Sequence, residues 1–228
     1  MSASILFVLS SASKNLDGHP TGWYLPEAAH PYWALAPHYK ITFAAPGGPN
    51  PPLDPTSVEG FKDDEESTKF LNDDAVKQKL ATALPLKDVK VGDYDVIFYV
   101  GGHGPMMDLA TDPINAKLVE NAAKENKIIA AVCHGPAALV AARVDGRAIF
   151  DGKSLTGLSN AEEEAIGGTK SVPFSLEDRL VELGAKFSKA DALFGSYVVV
   201  DGNLITGQNP ASSHAVGAAI LTALQARN

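Results

Sequence analysis

Cys133 is the only cysteine of the chain, and it stands at the end of the apolar run K-I-I-A-A-V, with His134, Gly135 and Pro136 directly behind it. An Ala-rich stretch of helical character comes next, so residues 127–140 read as a strand, a sharp turn and a helix with a thiol at the corner. There the positive end of a helix dipole and unpaired backbone N–H groups favour a thiolate. The same strand-turn-helix geometry presents the nucleophile in hydrolase elbows. A lone cysteine is more commonly a small buried hydrophobe, a reading that the adjacent histidine and the Gly-Pro pair oppose. A cysteine nucleophile needs a group to take its proton, donors for an oxyanion and a proton shuttle.

Candidates for each role exist. His134 sits next to the thiol, and a carboxylate such as Glu163 would fix its tautomer, although His134 also suits a polar position at a helix start. The backbone N–H groups of Gly102 and His134 are candidate oxyanion donors. Gly101-Gly102-His103-Gly104 comes after an apolar run at 94–100, where glycines permit close approach to a ligand but can also be turn punctuation. Glu27, after Pro26, fits a first helical turn off the first strand. Metal binding is not expected, because there is no second cysteine and no H-x-x-x-H or H-E-x-x-H spacing. G-G-H-G lacks the G-x-G-x-x-G pattern of a dinucleotide site, so no cofactor is expected.

The elements that must position these residues alternate along the chain. Apolar runs at 5–9, 94–100 and 127–132 predict buried strands, as in a parallel sheet, and 39–45 reads as a second strand in chain order. Between them, helical spacing at 21–37, with a break or kink at Pro31, and at 112–125, with Asp112 as N-cap and Pro113 behind it, gives a βαβ rhythm. Residues 46–55 are crowded with Pro and Gly and predict an irregular loop; 57–66 is acidic and predicts an exposed stretch, and 73–84 a short helix. Further on, 155–158 and 185–187 predict strands, 174–183 a helix, and 197–200 with 204–206 a hairpin across Asp201-Gly202. Three acids, Glu162 to Glu164, come after Asn160 and predict a solvated first turn capped by that residue. A final helix should run from Asn209-Pro210 to Ala226. One unit covering 1–228 is expected, with a small insertion around 46–90.

Composition narrows the function classes. The chain has 228 residues, enough for one well-buried α/β domain, and a formal net charge of −8. Without a dense Lys/Arg cluster, nucleic acid is not an expected partner. One cysteine makes no internal disulfide, and no apolar run approaches the roughly 18 residues that span a bilayer. Residues 1–9 lack a basic leader and read as a first strand, so a soluble, cytoplasmic or nuclear protein is expected.

The motifs A-V-C-H-G-P at 131–136, G-G-H-G at 101–104, Thr21-Gly22 with Pro26-Glu27-Ala28 and His30-Pro31, and T-G-Q-N-P-A-S-S at 206–213 resemble the ThiJ/PfpI superfamily essentially end to end. With the acidic insertion and T-G-L-S-N-A-E-E-E, the chain looks like the heat-shock chaperone and glutathione-independent glyoxalase group. The resemblance implies a flavodoxin-like three-layer sandwich, with a mostly parallel central sheet, helices on both faces and usually a homodimer. It places the nucleophile on Cys133, held on a strained elbow, with its histidine on His134 and its early glutamate on Glu27. The third triad member falls on Glu163, with Glu162 and Glu164 competing, and oxyanion and substrate contacts fall on Gly101, Gly102 and His103. The implied activity is conversion of methylglyoxal, or glyoxal, through a cysteine hemithioacetal, with a stress-response role. Alternatives are a holdase for unfolded clients, an oxidation sensor, and a cysteine peptidase or amidotransferase. The last needs a roomy site, whereas Trp23, Tyr24 and His103 suggest a small one.

Overall fold

The structure, a computed structural model, describes residues 3–227, so Met1 and Ser2, read above as part of the first strand, and Asn228 lie outside the described residues. The strands are β1 (Ser4–Val8), β2 (Lys40–Ala45), β3 (Leu84–Pro85), β4 (Val96–Tyr99), β5 (Ile128–Val132), β6 (Arg143–Val144), β7 (Arg147–Ala148), β8 (Ser154–Leu155), β9 (Lys186–Phe187), β10 (Val198–Asp201) and β11 (Leu204–Gly207). Seven of them form one sheet in the order β10-β11-β5-β4-β1-β2-β3. Every neighbouring pair is parallel except β10 with β11, the hairpin.

Alternation along the strands divides the core into two layers. Ile5, Phe7 and Leu9 face one layer with Phe43, Phe98 and Ile205, while Leu6 and Val8 face the other with Ile97, Tyr99 and Ile129. The first layer is closed by α1 (Leu25–Leu35), α3 (Glu65–Asn72), α4 (Asp74–Ala81) and α9 (Ser213–Gln225). On the other face lie α5 (Gly104–Met107), α6 (Pro113–Lys124) and α8 (Leu176–Glu182). The result is the three-layer α/β sandwich expected from the alternating pattern, since a strand apolar on both faces needs cover on both.

Chain order reverses around β1: β2 pairs on one of its sides and β4 on the other. That reversal opens a crevice at the carboxyl ends of the strands, where doubly wound sheets place their ligands. The segments bearing Glu27, Gly101-Gly102 and Cys133 all leave from this edge.

Several local expectations are corrected. The acidic stretch 57–66 is largely exposed, as expected, but it is also helical in part, because α2 (Pro55–Gly60) runs into it and α3 begins inside it. The acids at the two helix starts are caps: Asp54 accepts from the Thr56 N–H, and Asp64 from the Ser67 N–H at 2.8 Å. Helix α1 continues through Pro31 as one element. The strands read at 155–158 and 185–187 are only β8 and β9, which pair with each other outside the main sheet. Both runs are too short to compete for a place in it.

Phe98 is fully buried at the centre of the sheet and meets Phe7 edge-on, with ring centroids 4.8 Å apart. Phe98→Ala should lower unfolding stability by about 3–5 kcal/mol in a denaturant titration, the cost of a large unrefilled cavity; a loss below about 1 kcal/mol would mean that this layer is loosely packed.

Candidate active site

Cys133 leaves β5 with φ of 59°, a left-handed conformation that costs a non-glycine residue about 1–3 kcal/mol. It is held by hydrogen bonds on both sides: its N–H donates to Gly207 O and its O accepts from the Leu158 N–H, both at 2.9 Å. The turn lifts Sγ out of the sheet and into a cavity of about 760 Å³, lined among others by Thr21, Tyr24, Gly102, His103, His134 and Phe194. Cys133 itself is 5% exposed. Behind the elbow runs a 3₁₀ segment, Gly135–Leu139, in place of the expected α-helix. Five residues of 3₁₀ geometry supply only a weak dipole, so the thiolate loses much of the support ascribed to a helix start.

Two acids and two histidines surround the thiol. His134 Nδ1 lies 3.5 Å from Sγ, and its Nε2 lies 2.5 Å from Glu163 Oε2. The other oxygen of Glu163 meets His103 Nε2 at 2.8 Å. Burial pushes the Glu163 carboxyl up, but the hydrogen bonds from His103 and His134 and their charges outweigh it and hold Glu163 well below the usual carboxylate range. His134 is pushed down, first by burial and then by neighbouring His103, with Glu163 working against both. The imidazole is therefore neutral near pH 7. Its proton sits on Nε2 against the carboxylate, and the Nδ1 lone pair faces the thiol.

Glu163, from α7 (Asn160–Ala165), is thus the acid behind His134. Its neighbours do other things. Glu162 is fully buried and forms a capping box with Ser159, which replaces Asn160 as the N-cap. Glu162 also accepts from Gln208 Nε2, Asn209 Nδ2 and the Phe194 N–H, tying three segments of the rim together. Glu164 is exposed. The expected solvated turn fails because two of its three acids are drawn inward by these donors.

Glu27 lies on the other side of Sγ, in the first turn of α1, with no exposed surface. Its polar neighbours are the Cys133 thiol and the Gly101 N–H, and neither oxygen has a formed hydrogen bond. Among the described residues no cation faces it, so burial raises its pKa well above the ordinary range and the carboxyl keeps its proton. Burial raises the thiol too, followed by the Glu27 charge when that group is ionised, and the Gly102 N–H acts in the opposite sense. Gly101 and Gly102 are required sterically: a Cβ on Gly101 would strike Glu27, Val132 O and Cys133, and Gly102 has φ of 91° with Gly22 O against it.

Cys133, His134, Glu27, Glu163, Gly101, Gly102 and His103 therefore gather around one thiol, and of them Gly102, His103, Cys133 and His134 line the cavity while Glu27 and Glu163 are buried behind it. Two features escaped the sequence reading. His103, expected among the oxyanion and substrate contacts, is a second histidine on Glu163, which no spacing rule connects to residue 163. Asp54, from the acidic insertion, is buried and accepts from Thr21 Oγ1 at 3.0 Å in the cavity wall. The site is also not small, because Trp23 turns into the core and leaves the wall to smaller groups. His103, His134 and Glu163 place three ligand atoms within 4.8 Å of one another, as do His30, Glu66 and His214. In the first group both histidine Nε2 atoms are already committed to the carboxylate.

The DJ-1/PfpI family profile matches residues 62–223. The glutathione-independent glyoxalase HSP31 of Saccharomyces cerevisiae is 30% identical, over 92% of each chain. Among solved structures, the rapid encystment protein of 24 kDa from Francisella tularensis superposes with a TM-score of 0.91 at 38% identity, covering 97% of this chain and 99% of that one. Glyoxalase III from Candida albicans gives a TM-score of 0.87 over 97% of each chain, at 24% identity, and bears on the fold alone.

A protonated Glu27 sets a pH dependence. With its folded pKa above the unfolded value, the native state holds a proton that the unfolded chain releases, so the contribution is present below the unfolded pKa and lost as pH rises toward the folded one. Glu27→Gln removes this term. Its stability relative to wild type should climb between pH 5 and 8 by up to about 1.4 kcal/mol per pH unit; a flat difference would show that Glu27 is ionised.

Proposed function

The chain belongs to the DJ-1/PfpI family, and on that premise we propose that it is a glutathione-independent glyoxalase, a lyase of the glyoxalase III (D-lactate dehydratase) type that converts methylglyoxal to lactate. The observation that carries the reading is the position of Sγ between a neutral buried acid, Glu27, and a neutral imidazole, His134, whose far side is fixed by Glu163. Isomerising a 2-oxoaldehyde needs this pairing of a nucleophile with two proton carriers of near-neutral character.

Sγ attacks the aldehyde carbon as its proton passes to His134 Nδ1, and the resulting alkoxide takes a proton from Glu27 or back from His134 to give a hemithioacetal, which leaves the group that gave the proton free to act as a base. The Gly102 and His134 N–H groups are the proposed oxyanion donors. A base, Glu27 or His134, then removes the hydrogen on that carbon, and the neighbouring carbonyl oxygen is protonated, giving an enediol. Protonation at the second carbon, with loss of the hydroxyl proton on the first, leaves a thioester, which water cleaves to lactate and the regenerated thiol. The aldehyde carbon is oxidised and the ketone carbon reduced within one molecule, so no external electron carrier is needed. The protein thiol stands where glutathione would.

The cavity is wider than methylglyoxal requires, which suits larger 2-oxoaldehydes as well. A homodimer, a cytoplasmic or nuclear location, holdase activity toward unfolded clients and a single unit over the whole chain belong to this proposal through the family resemblance. Sedimentation and a client-aggregation assay with Cys133→Ala address the first and third; a holdase would survive that substitution.

Cys133→Ala should abolish lactate formation from methylglyoxal while leaving the circular dichroism spectrum intact, and Glu163→Gln should lower kcat/KM by about 10²-fold or more by releasing the His134 tautomer. Retained turnover in Cys133→Ala would overturn the assignment.

A further inference from the structure

One helical turn beyond Glu27, three elements bring a second group of donors together. His30 comes from α1, Glu66 from the first turn of α3 and His214 from the first turn of α9. One imidazole nitrogen from each histidine and one Glu66 oxygen lie within 4.8 Å of one another. His30 is 6% exposed, and its Nε2 contacts Asp64 Oδ2 at 2.9 Å. Asp64 also accepts from the Ser67 N–H, so it is a fixed carboxylate acceptor and the His30 proton belongs on Nε2. That leaves the Nδ1 lone pair bare, and Nδ1 is buried with no hydrogen-bond partner. Glu66 Oε2 is likewise buried without a hydrogen bond, 3.3 Å from His214 Nε2.

A buried acceptor without a donor is costly, and the bare His30 Nδ1 beside the carboxylate of Glu66, whose side chain is 41% exposed and reaches only His214, favours a positive species between them. A carboxylate behind one ring nitrogen, with the other nitrogen bare, is the arrangement that orients a metal-bound histidine. We propose that His30, Glu66 and His214 form a binding site for a divalent cation of the zinc class, with Asp64 as the carboxylate that orients His30. Two nitrogens and one oxygen suit Zn²⁺ or Co²⁺ with water completing four-coordination, whereas Ca²⁺ and Mg²⁺ require oxygen ligands.

The anchoring is unequal. Glu66 is held at its backbone, where its carbonyl accepts from Trp33 Nε1 at 3.0 Å, and His30 is held by Asp64. His214 is the movable ligand: its side chain is 61% exposed and its ring stacks on His30 at 3.9 Å with 12° between planes. A cation in the plane of one stacked ring is out of the plane of the other, so binding requires His214 to turn out of the stack. The cation would then join α1, which carries Glu27, to α3 and α9.

The test is titration of the full-length protein with Zn²⁺ by calorimetry and with Co²⁺ by visible absorption, each repeated in Glu66→Gln, His214→Ala, Asp64→Asn and His103→Ala. One equivalent of cation is expected, with a raised Tm and the spectrum of four-coordinate Co²⁺. Affinity should fall at least about 10-fold in the first three variants and stay unchanged in His103→Ala. The proposal is overturned if no cation binds, or if binding survives Glu66→Gln and His214→Ala but is lost in His103→Ala, which would place the cation at the cysteine site.

Discussion

The organisation of the site depends on a carboxyl group buried without a cation. Glu27 has no exposed surface, no lysine or arginine facing it among the described residues, and no fully formed hydrogen bond on either oxygen. Ionising such a group inside a protein costs several kcal/mol, so it keeps its proton, on a carboxyl whose neighbour is the Cys133 thiol. The second acid is in the opposite state. Glu163 receives hydrogen bonds from two histidines and remains a carboxylate. Two glutamates of one site are driven apart in protonation by their surroundings, which is how one pocket supplies both a proton donor and an anchor for a base.

The sheet makes that separation possible. Sγ is aimed by the left-handed turn after β5, Glu27 arrives on the helix behind β1, and the Gly101-Gly102 turn after β4 lies between them with no side chain to interfere. Glu163 comes from a different part of the chain, on a helix whose start is secured by the Ser159–Glu162 capping box and whose rim contacts run through Glu162. Replacing either glycine would push the acid, the turn or the thiol out of position.

Much of the frame was legible in the sequence because strands apolar on both faces leave long unbroken runs. The runs that became β1, β2, β4 and β5 were read within one or two residues, as were the β10–β11 hairpin and the Asp112-Pro113 start of α6. Several of the errors share a cause, a partner distant in sequence. The acidic stretch at 57–66 is largely exposed, as expected, but Asp54 and Asp64 turn inward to Thr21 and His30. Glu162 and Glu163 look like a wet helical turn until Gln208, Asn209, His103 and His134 are placed around them. The elbow was readable from Cys-His-Gly-Pro, but the shortness of the 3₁₀ segment behind it, and therefore the weakness of its dipole, was not. Nor does any local pattern connect His103 to Glu163, or His30 to His214.

The central claim is that the mobile proton of the site resides on Glu27 at neutral pH. Infrared difference spectroscopy between wild type and Glu27→Gln across the pH range tests it directly. The account predicts a carboxylic-acid carbonyl band at pH 7 that is present in wild type and absent in Glu27→Gln. A carboxylate signature at pH 7, with the acid band surviving only in the ordinary glutamate range, would contradict it.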